Sequence, residues 1–259
     1  MNMRNLNDLE FLQAVHKGVD LELHTSVLFR EMKVAGLDFY QLYFDCAIRT
    51  QITSPGWKLM RRIQRAYYLA KYVEYADALH APKAECGVFR GLSALITCHV
   101  QKSLRPEFAG EDYYLIDSYQ GLSELKESDL AARQLSNGQI EWGHTHRAGH
   151  FAVPMDVVAS NLAGFPRLNF VEGWIPEALT QLPETKWSFV HIDVDLFEPT
   201  LGCLEYFMPR MVPGGVILND DFSSPLFPGG GKAWVQYFGD RGLPYLVLDT
   251  GQSVYVKPQ

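Results

Sequence analysis

The amino-acid sequence predicts an α/β protein in which a helical N-terminal region precedes a seven-stranded, mostly parallel sheet. From residue 83 onward, short apolar runs alternate with helical stretches, which is typical of a parallel sheet covered on both faces. The first 80 residues instead place apolar side chains three and four positions apart, as amphipathic helices do. The last two apolar runs lie too close together for a crossover helix, so one strand there should run antiparallel.

The composition is that of an ordinary globular protein. Of the 259 residues, 47% are hydrophobic and 20% are charged, and this length suits one large domain or two small ones. Against 23 basic residues stand 30 acidic ones, and the net charge of −7 argues against nucleic acid or a membrane surface as a partner. The charged N-terminus lacks the apolar core of a signal peptide, and no apolar run approaches the ~18 residues of a membrane span.

The cysteines indicate a reducing compartment. Cys46, Cys86, Cys98 and Cys203 lie far apart and form no C-x-x-C pair, so we expect buried thiols rather than zinc ligands or disulfides. With no leader segment apparent, the sequence predicts a cytoplasmic protein.

Three helical stretches make up the predicted N-terminal cap, residues 1–80, which should form one compact unit with the α/β domain of residues 81–259. The stretches read LNDLEFLQAV, SVLFREMKVAGL and Trp57 to Leu79. Basic side chains recur along the third stretch, namely Lys58, Arg61, Arg62 and Arg65. Such a row is usually a solvated face. If the helix covers the site, one of these cations could neutralise a ligand carboxylate.

Seven apolar runs are the predicted strands. In order they read KAECGV, DYYLID, RLNFVEG, WSFVHIDVD, GGVILND, PYLVLD and SVYVK. The helical stretches between them read LSALITCHVQKS, IPEALTQL, PTLGCLEYFMPRM and GKAWVQYFGD. Thr250-Gly251-Gln252 favours a tight hairpin between the last two strands. The long polar connection after the second strand has weak periodicity, and long connections of this kind are often lids.

Carboxylates follow the fourth and fifth predicted strands. Asp193 and Asp195 end the fourth strand, and Asp220 and Asp221 end the fifth. Neighbouring strands lie about 4.8 Å apart, so their ends can share one cation. A set of carboxylates without a histidine or cysteine partner favours a hard ion such as Mg²⁺. The alternative is that the acids cap loops or face solvent separately.

The first two strands end in residues that suit a nucleoside. Gly87 and Gly91 bracket a turn that opens a helix, where glycine lets the backbone approach a ligand and the helix N-terminus offers N–H donors. The turn is not G-x-G-x-x-G, so the dinucleotide fingerprint is missing. Asp117, at the end of the second strand, could accept hydrogen bonds from a ribose diol. The alternative is a capping aspartate beside Ser118.

Histidines and a Gly/Pro-rich loop are further candidates for the site. His144, His146 and His150 fall in the long connection, where a solvated polar loop is favoured over a substrate contact or proton shuttle. His191 lies within an apolar strand and is expected to be a core histidine. The segment 222–231, FSSPLFPGGG, suits a loop that shapes a substrate pocket.

Several motifs in order resemble the macrocin/mycinamicin O-methyltransferase family. They are ECGVFRGLSA, IDSYQGLSE, FVEGWIPEAL, HIDVDLFEPT and NDDF, and the resemblance runs from about Trp57 to Lys257. It implies a Rossmann-like class I methyltransferase fold with a helical N-terminal lid. It also implies an S-adenosylmethionine-dependent, Mg²⁺-assisted enzyme that methylates sugar hydroxyls of natural products. The Gly/Pro loop and the histidine segment differ from the macrolide enzymes.

The resemblance also implies roles for individual residues. Those expected beside the methionine and ribose of the cofactor are Glu85, Gly87, Arg90, Gly91 and Ser93. Asp117, with Ser118 beside it, would hold the ribose hydroxyls, and Gly173 and Trp174 would flank the adenine. The expected Mg²⁺ ligands are Asp193, Asp220 and Asp221, with Asp193 the favoured general base and Asp195 matching the second acid of the D-x-D motif. The expected partners are a small-molecule hydroxyl acceptor and, through the N-terminal helices, a second copy of the chain.

Other functions stay open at this point. The acceptor could carry a phenolic or other non-sugar hydroxyl. A nucleotide-dependent oxidoreductase could use a similar sheet, although the missing G-x-G-x-x-G counts against it. A non-catalytic binding protein would have no need for converging carboxylates, and a Mg²⁺-dependent hydrolase could use the same acids.

Overall fold

The computed structural model describes residues 32–54, 56–135 and 139–259. The helix predicted for LNDLEFLQAV, and the first part of the one predicted for SVLFREMKVAGL, therefore lie outside the described residues. In the described part of the chain, no helix is both long and apolar enough to cross a bilayer. The four cysteines are buried and unpaired, as expected from their spacing.

A small hairpin replaces the end of the second predicted helix. Strands β1 (Lys33–Val34) and β2 (Leu37–Asp38) pair antiparallel around a turn at Ala35 and Gly36. These two residues have φ angles of 51° and 79°. The helical prediction for this segment is wrong because a right-handed helix cannot contain two consecutive left-handed residues. The backbone N–H of Ala35 donates to Glu74 at 2.7 Å, which ties the turn to the next part of the cap.

Two helices of the cap follow the hairpin. Helix α1 (Phe39–Thr50) begins after Asp38, whose carboxylate accepts a hydrogen bond from the N–H of Gln41 at 3.0 Å and so caps the helix. Helix α2 (Gly56–Asp77) confirms the third predicted helix. Apolar side chains of α1 and α2 pack in the same cluster as side chains of the sheet, such as Leu115 and Phe189. The division of the chain at residue 80 stays a prediction.

The predicted seven-stranded sheet is confirmed. Its strands are β3 (Lys83–Cys86), β4 (Tyr113–Asp117), β7 (Asn169–Glu172), β8 (Trp187–Ile192), β9 (Met211–Asn219), β10 (Leu246–Val247) and β11 (Ser253–Val256). Their order across the sheet is β10-β11-β9-β8-β3-β4-β7. All neighbours from β9 to β7 are parallel, and only β11 runs the other way, paired with β9 and β10. The carboxyl ends of β3, β4, β8 and β9 therefore meet along one edge.

Helices connect the strands and cover both faces of the sheet. They are α3 (Leu92–Leu104), α4 (Met155–Asn161), α5 (Phe197–Phe207) and α6 (Pro228–Arg241). The predicted helix in IPEALTQL is a short 3-10 segment, Glu177–Gln181. It ends at Leu182, which has the extended backbone that the following proline favours, so an α-helix cannot continue there.

The long connection between β4 and α4 contains structure that the sequence did not suggest. Strands β5 (Ala131–Gln134) and β6 (Ile140–Gly143) pair antiparallel as a separate two-stranded sheet. The segment before them is fastened to α5, because the carboxylate of Asp129 accepts a hydrogen bond from the N–H of Phe197 at 2.8 Å. This contact brings the connection beside the carboxyl edge of the main sheet.

Candidate functional site

A cavity of about 780 Å³ lies at the carboxyl ends of the central strands. Residues that follow β3, β4, β8 and β9 line its floor, and α2 lines one side. A cavity at this edge of a parallel α/β sheet is the usual position of a ligand site. Most of the predicted site residues line it, namely Gly87, Ser93, Asp117, Ser118, Gly173, Trp174, Asp193, Asp195, Asp220 and Asp221.

The turn after β3 brings two strand ends into direct contact. Gly87 has a φ of 86°, and a Cβ atom there would stand 1.9 Å from the carbonyl oxygen of Asp193. Only glycine fits this close approach. Gly91, with a φ of 84°, precedes the first turn of α3. The turn therefore places the N-terminus of α3 beside the acids that follow β8.

Glu85 is buried below this turn, with both carboxylate oxygens engaged. It accepts hydrogen bonds from the hydroxyls of Ser93 and Tyr113, each at 2.6 Å. Arg90 also points away from the cavity lining, because its guanidinium donates to the carbonyl of Thr50 at 2.8 Å. The structure therefore brings Glu85 and Ser93 together and joins Arg90 to the end of α1, whereas their contacts with a cofactor stay predictions.

Asp117 organises the backbone around it. Its Oδ2 accepts hydrogen bonds from the N–H groups of Val88 at 2.6 Å and Phe89 at 3.2 Å, and its Oδ1 accepts one from Tyr119 at 2.8 Å. The capping role considered from the sequence is thus present, although it involves loop N–H groups. Because Asp117 also lines the cavity, capping and ligand binding are compatible here.

The acids form two overlapping groups that share Asp193. In one, carboxylate oxygens of Asp193, Asp195 and Asp221 lie within 4.8 Å of one another. In the other, ligand atoms of Asp193 and Asp220 lie within the same distance of a nitrogen of His191. Of the predicted ligands, Asp193 meets Asp221 in the first group and Asp220 in the second, but neither group holds all three; the structure adds Asp195 to one and His191 to the other. The sequence spacing could have indicated the position of His191, because it lies near the end of β8, two residues before Asp193, and side chains two positions apart along an extended chain point to the same side.

The three acids of the first group resist ionisation together. Desolvation in the cavity, followed by the charges of Asp220 and Asp221, raises the pKa of Asp193 well above its usual value. Desolvation and neighbouring carboxylates also raise the pKa of Asp195, and they raise the pKa of Asp221 to about 6. A divalent cation would relieve this repulsion. Carboxylate oxygens are the donors that Mg²⁺ prefers, so these residues fit such an ion.

Asp220 behaves differently because cations face it. Desolvation alone would raise its pKa, but the guanidinium of Arg65 and the His191 ring hold it below the usual range. Arg65 forms an ion pair with the Asp220 carboxylate. The side-chain amide of Gln252 also donates to Asp220, at 2.6 Å. Asp220 is therefore a permanent anion at the edge of the acid group.

His191 lies between two carboxylates in the interior. Its Nδ1 is 3.7 Å from Glu85 and its Nε2 is 3.7 Å from Asp220, which are ion-pair rather than hydrogen-bond distances. Burial alone would lower the pKa of His191, but these carboxylates raise it to about 10. The expectation of a buried histidine is confirmed. The ring in addition links the predicted cofactor side, at Glu85, to the predicted metal side, at Asp220.

Helix α2 supplies a cationic side to the cavity. All four basic side chains of the row line it, namely Lys58, Arg61, Arg62 and Arg65. Arg61 donates to the carbonyl of Thr250 at 2.9 Å, in the hairpin that joins β10 to β11. The helix therefore covers the site. This is the arrangement in which one of these cations could neutralise a ligand carboxylate.

The connection and the Gly/Pro loop meet at the opposite side. The hydroxyl of Thr145 donates to the carbonyl of Leu226 at 2.6 Å. Ser224, Pro225, Leu226 and Phe227 line the cavity, which is the position expected of a loop that shapes a pocket. His146 and His150 stack on aromatic residues here, while His144 is exposed.

Curated proteins with similar sequences include two O-methyltransferases. Over 174 residues the chain is 28% identical to the 8-demethyl-8-(2,3-dimethoxy-alpha-L-rhamnosyl)-tetracenomycin-C 4'-O-methyltransferase of Streptomyces olivaceus, covering 63% of this chain and 61% of that protein. It is 21% identical to mycinamicin III 3''-O-methyltransferase of Micromonospora griseorubida, covering 67% and 66%. The match thus spans slightly less than two thirds of either relative.

Solved structures and a family model complete the comparison. The O-methyltransferase NovP has a TM-score of 0.62 over 76% of this chain and 81% of its own, at 20% identity. The calicheamicin methyltransferase CalS11 has a TM-score of 0.53 over 84% and 91%, at 19% identity. These structures confirm the class I methyltransferase fold. The model of the macrocin-O-methyltransferase (TylF) family matches residues 56–249. Because that match covers most of the chain, the protein belongs to the macrocin O-methyltransferase (TylF) family.

Proposed function

We propose that the protein transfers the methyl group of S-adenosylmethionine to a hydroxyl of a small molecule, a sugar of a secondary metabolite. One observation carries the proposal. In a chain of the TylF family, a single cavity joins the glycine turn after β3, Asp117 and the carboxylates that follow β8 and β9. The relative named above that acts on a rhamnosyl-tetracenomycin supports a sugar as acceptor.

The cofactor side of the cavity would consist of the glycine turn, Asp117 and the segment after β7. When bound, S-adenosylmethionine supplies a methyl group already activated on a sulfonium. Gly87 and the N-terminus of α3 would lie against its methionine part, and Asp117 would accept hydrogen bonds from the ribose. Gly173 and Trp174 would flank the adenine. Trp174 is 39% exposed, as a stacking surface would be.

The metal side would consist of Asp193, Asp220 and Asp221, with Asp195 beside them. A bound Mg²⁺ supplies positive charge that fixes the acceptor hydroxyl and lowers its pKa. The raised pKa values of Asp193 and Asp221 support this role, because the nearby cations do not offset desolvation and the repulsion among these carboxylates. Arg65 already compensates Asp220, which would hold the group in place.

The protein's own contribution is alignment and proton transfer. Asp193 and its neighbours would hold the acceptor hydroxyl against the methyl group of the cofactor, and Asp193 would accept the hydroxyl proton as the methyl ether forms. S-adenosylhomocysteine and the methyl ether are the products. Because a carboxylate that binds a metal is a weak base, Asp193 would act mainly as a metal ligand. His144 and His146, the alternative bases considered from the sequence, do not line the cavity. Helix α2 closes the site and keeps water out.

Further expectations belong with this proposal. The cytoplasmic location, the homodimer and the lack of nucleic-acid or membrane partners stay predictions. A phenolic hydroxyl is the second candidate acceptor, because phenylalanine rings line the cavity on the side of the Gly/Pro loop.

The experiment is a transfer assay with radiolabelled S-adenosylmethionine and an acceptor panel of rhamnosides, other glycosides and simple phenols. We expect the radiolabelled methyl group to appear on a sugar oxygen of the glycosides. Asp193→Asn should abolish this transfer. The control is Asp240→Asn, an exposed aspartate of α6 outside the cavity lining, which should not change the rate. Label confined to phenols would replace the sugar by the second candidate. Full activity of Asp193→Asn would overturn the proposed roles of that residue.

A further inference from the structure

Three phenylalanine rings form one side of the cavity. Phe89, Phe151 and Phe227 all line it, and we call them the aromatic wall. They come from the turn after β3, the long connection and the Gly/Pro loop. The Phe89 and Phe151 rings meet edge to face, with centroids 5.6 Å apart and planes at 76°. The Phe151 and Phe227 rings are 5.9 Å apart at 53°. Three distant segments thus place apolar rings around one space.

Imidazole rings support the aromatic wall from behind. His146 stacks on Phe227 with centroids 4.1 Å apart, and His150 stacks on Phe151 at 4.2 Å with planes at 13°. The described residues that line the cavity include these phenylalanines but neither histidine. The wall is therefore two layers deep, with phenyl rings towards the cavity.

Backbone strain orients two of the rings. Phe89 has a φ of 48° and Phe151 has a φ of 67°, in the left-handed region that bulky residues rarely adopt. Such strain persists where surrounding contacts determine the conformation, and it clusters at ligand sites. At Phe89 those contacts include the hydrogen bond to Asp117. Its ring nevertheless remains 40% exposed, so the strain serves no packing in the core.

The aromatic wall is an uncharged part of a cavity that also carries charged groups. Acids lie at the strand ends and cations lie along α2. This arrangement would orient a ligand that has a polar sugar and an apolar planar part. The hydroxyls would face the acids, and the planar part would meet the phenyl rings in offset or edge-to-face contact.

We propose that the aromatic wall binds a planar conjugated ring system attached to the sugar that is methylated, so that the acceptor class is an aryl glycoside. This inference rests on the proposed function and names its substrate class. The area of ring contact would set the affinity for the acceptor, whereas the acids would set which hydroxyl is methylated.

The test is direct binding to protein saturated with S-adenosylhomocysteine, so that turnover is not needed. The probes are 4-methylumbelliferyl α-L-rhamnoside and methyl α-L-rhamnoside, which share the sugar and differ in the planar ring. We expect the Kd of the aryl glycoside to be at least tenfold lower, on the order of one good stacking contact. Phe227→Ala should reduce the ratio of the two Kd values to below about threefold, while Phe227→Trp should keep it.

A matched control distinguishes binding at this site from nonspecific binding to exposed aromatic side chains. Trp142 on β6 is 61% exposed and lies outside the cavity lining, so Trp142→Ala should leave the ratio unchanged. Equal Kd values in the wild type, or an unchanged ratio in Phe227→Ala, would overturn the proposal. The proposal would also be overturned if Phe227→Ala lost as much affinity for S-adenosylhomocysteine as for the aryl glycoside, because the aromatic wall would then bind the cofactor. Failure of the wild type to bind S-adenosylhomocysteine would instead overturn the proposed function.

Discussion

The guanidinium of Arg65, on helix α2, forms an ion pair with the carboxylate of Asp220, at the end of strand β9. It also donates to the backbone carbonyl of Asp220. The first residue belongs to the N-terminal cap and the second to the acids of the candidate site. This contact therefore joins the cap to the functional edge of the sheet, and it holds one aspartate as an anion among neighbours that resist ionisation.

Removing Arg65 should weaken both the fold and the site. In Arg65→Met the Asp220 carboxylate loses its strongest partner in a largely desolvated position, so we expect the free energy of unfolding to fall by about 2–4 kcal/mol. Urea denaturation measures it. Arg62→Met is the control, because Arg62 lies one turn earlier on α2, is exposed and forms no ion pair with the described residues, and it should change stability by under about 0.5 kcal/mol. Equal losses in both variants would contradict the account of the ion pair.

The hydroxyl of Tyr113 should stabilise the fold through Glu85. Tyr113→Phe removes a hydrogen bond to a buried carboxylate, and the expected cost is about 1–2 kcal/mol. Tyr114→Phe is a control on the same strand, because the Tyr114 hydroxyl makes no hydrogen bond to the described residues. Thermal unfolding of both proteins gives the comparison. A Tyr113→Phe protein as stable as Tyr114→Phe would show that Glu85 does not depend on this bond.

Two glycines should respond in opposite ways to alanine. Gly87→Ala would place a Cβ atom against the Asp193 carbonyl in a left-handed conformation, and we expect a loss of more than about 2 kcal/mol. Gly239 lies within α6 with no atom near the position of a Cβ, so Gly239→Ala should gain about 0.5–1 kcal/mol. Denaturation midpoints distinguish them. A neutral Gly87→Ala would refute the close contact between β3 and β8.

Metal removal should affect transfer far more than folding. We expect EDTA to lower the methyl-transfer rate by at least about a hundredfold, since a bound cation contributes several kcal/mol to such a step. Added Mg²⁺ should restore the rate in the wild type and leave Asp221→Asn inactive. Circular dichroism in EDTA is the control for folding. A rate that is the same in EDTA and in Mg²⁺ would remove the metal from the proposed chemistry.

The sheet could be predicted from the sequence because each strand is a short apolar run with clear boundaries. The seven strands could be predicted in this way, as could the presence of one antiparallel strand among the last two. The hairpin at Ala35 and Gly36 was missed because its apolar spacing also suits a helix, and only the left-handed turn rules the helix out. The β5–β6 hairpin was missed because exposed residues such as Ile140 and Trp142 give no alternation of buried and exposed positions.

The candidate site was predicted best where residues are adjacent in sequence to strand ends. That rule found Asp117 and the acids after β8 and β9. It missed contacts that depend on tertiary packing. The approach of Arg65 to Asp220 requires α2 to cross the sheet edge, and the stacking of His146 on Phe227 joins loops about 80 residues apart. No local pattern encodes such contacts.

The central claim is that the cavity holds S-adenosylmethionine beside a metal-binding group of acids. Calorimetric titration of S-adenosylhomocysteine into the purified, ligand-free protein, with Mg²⁺ and with EDTA, tests it most directly. The account predicts one molecule bound per chain with a micromolar Kd in the Mg²⁺ buffer. A folded protein that shows no heat of binding in either buffer would contradict it.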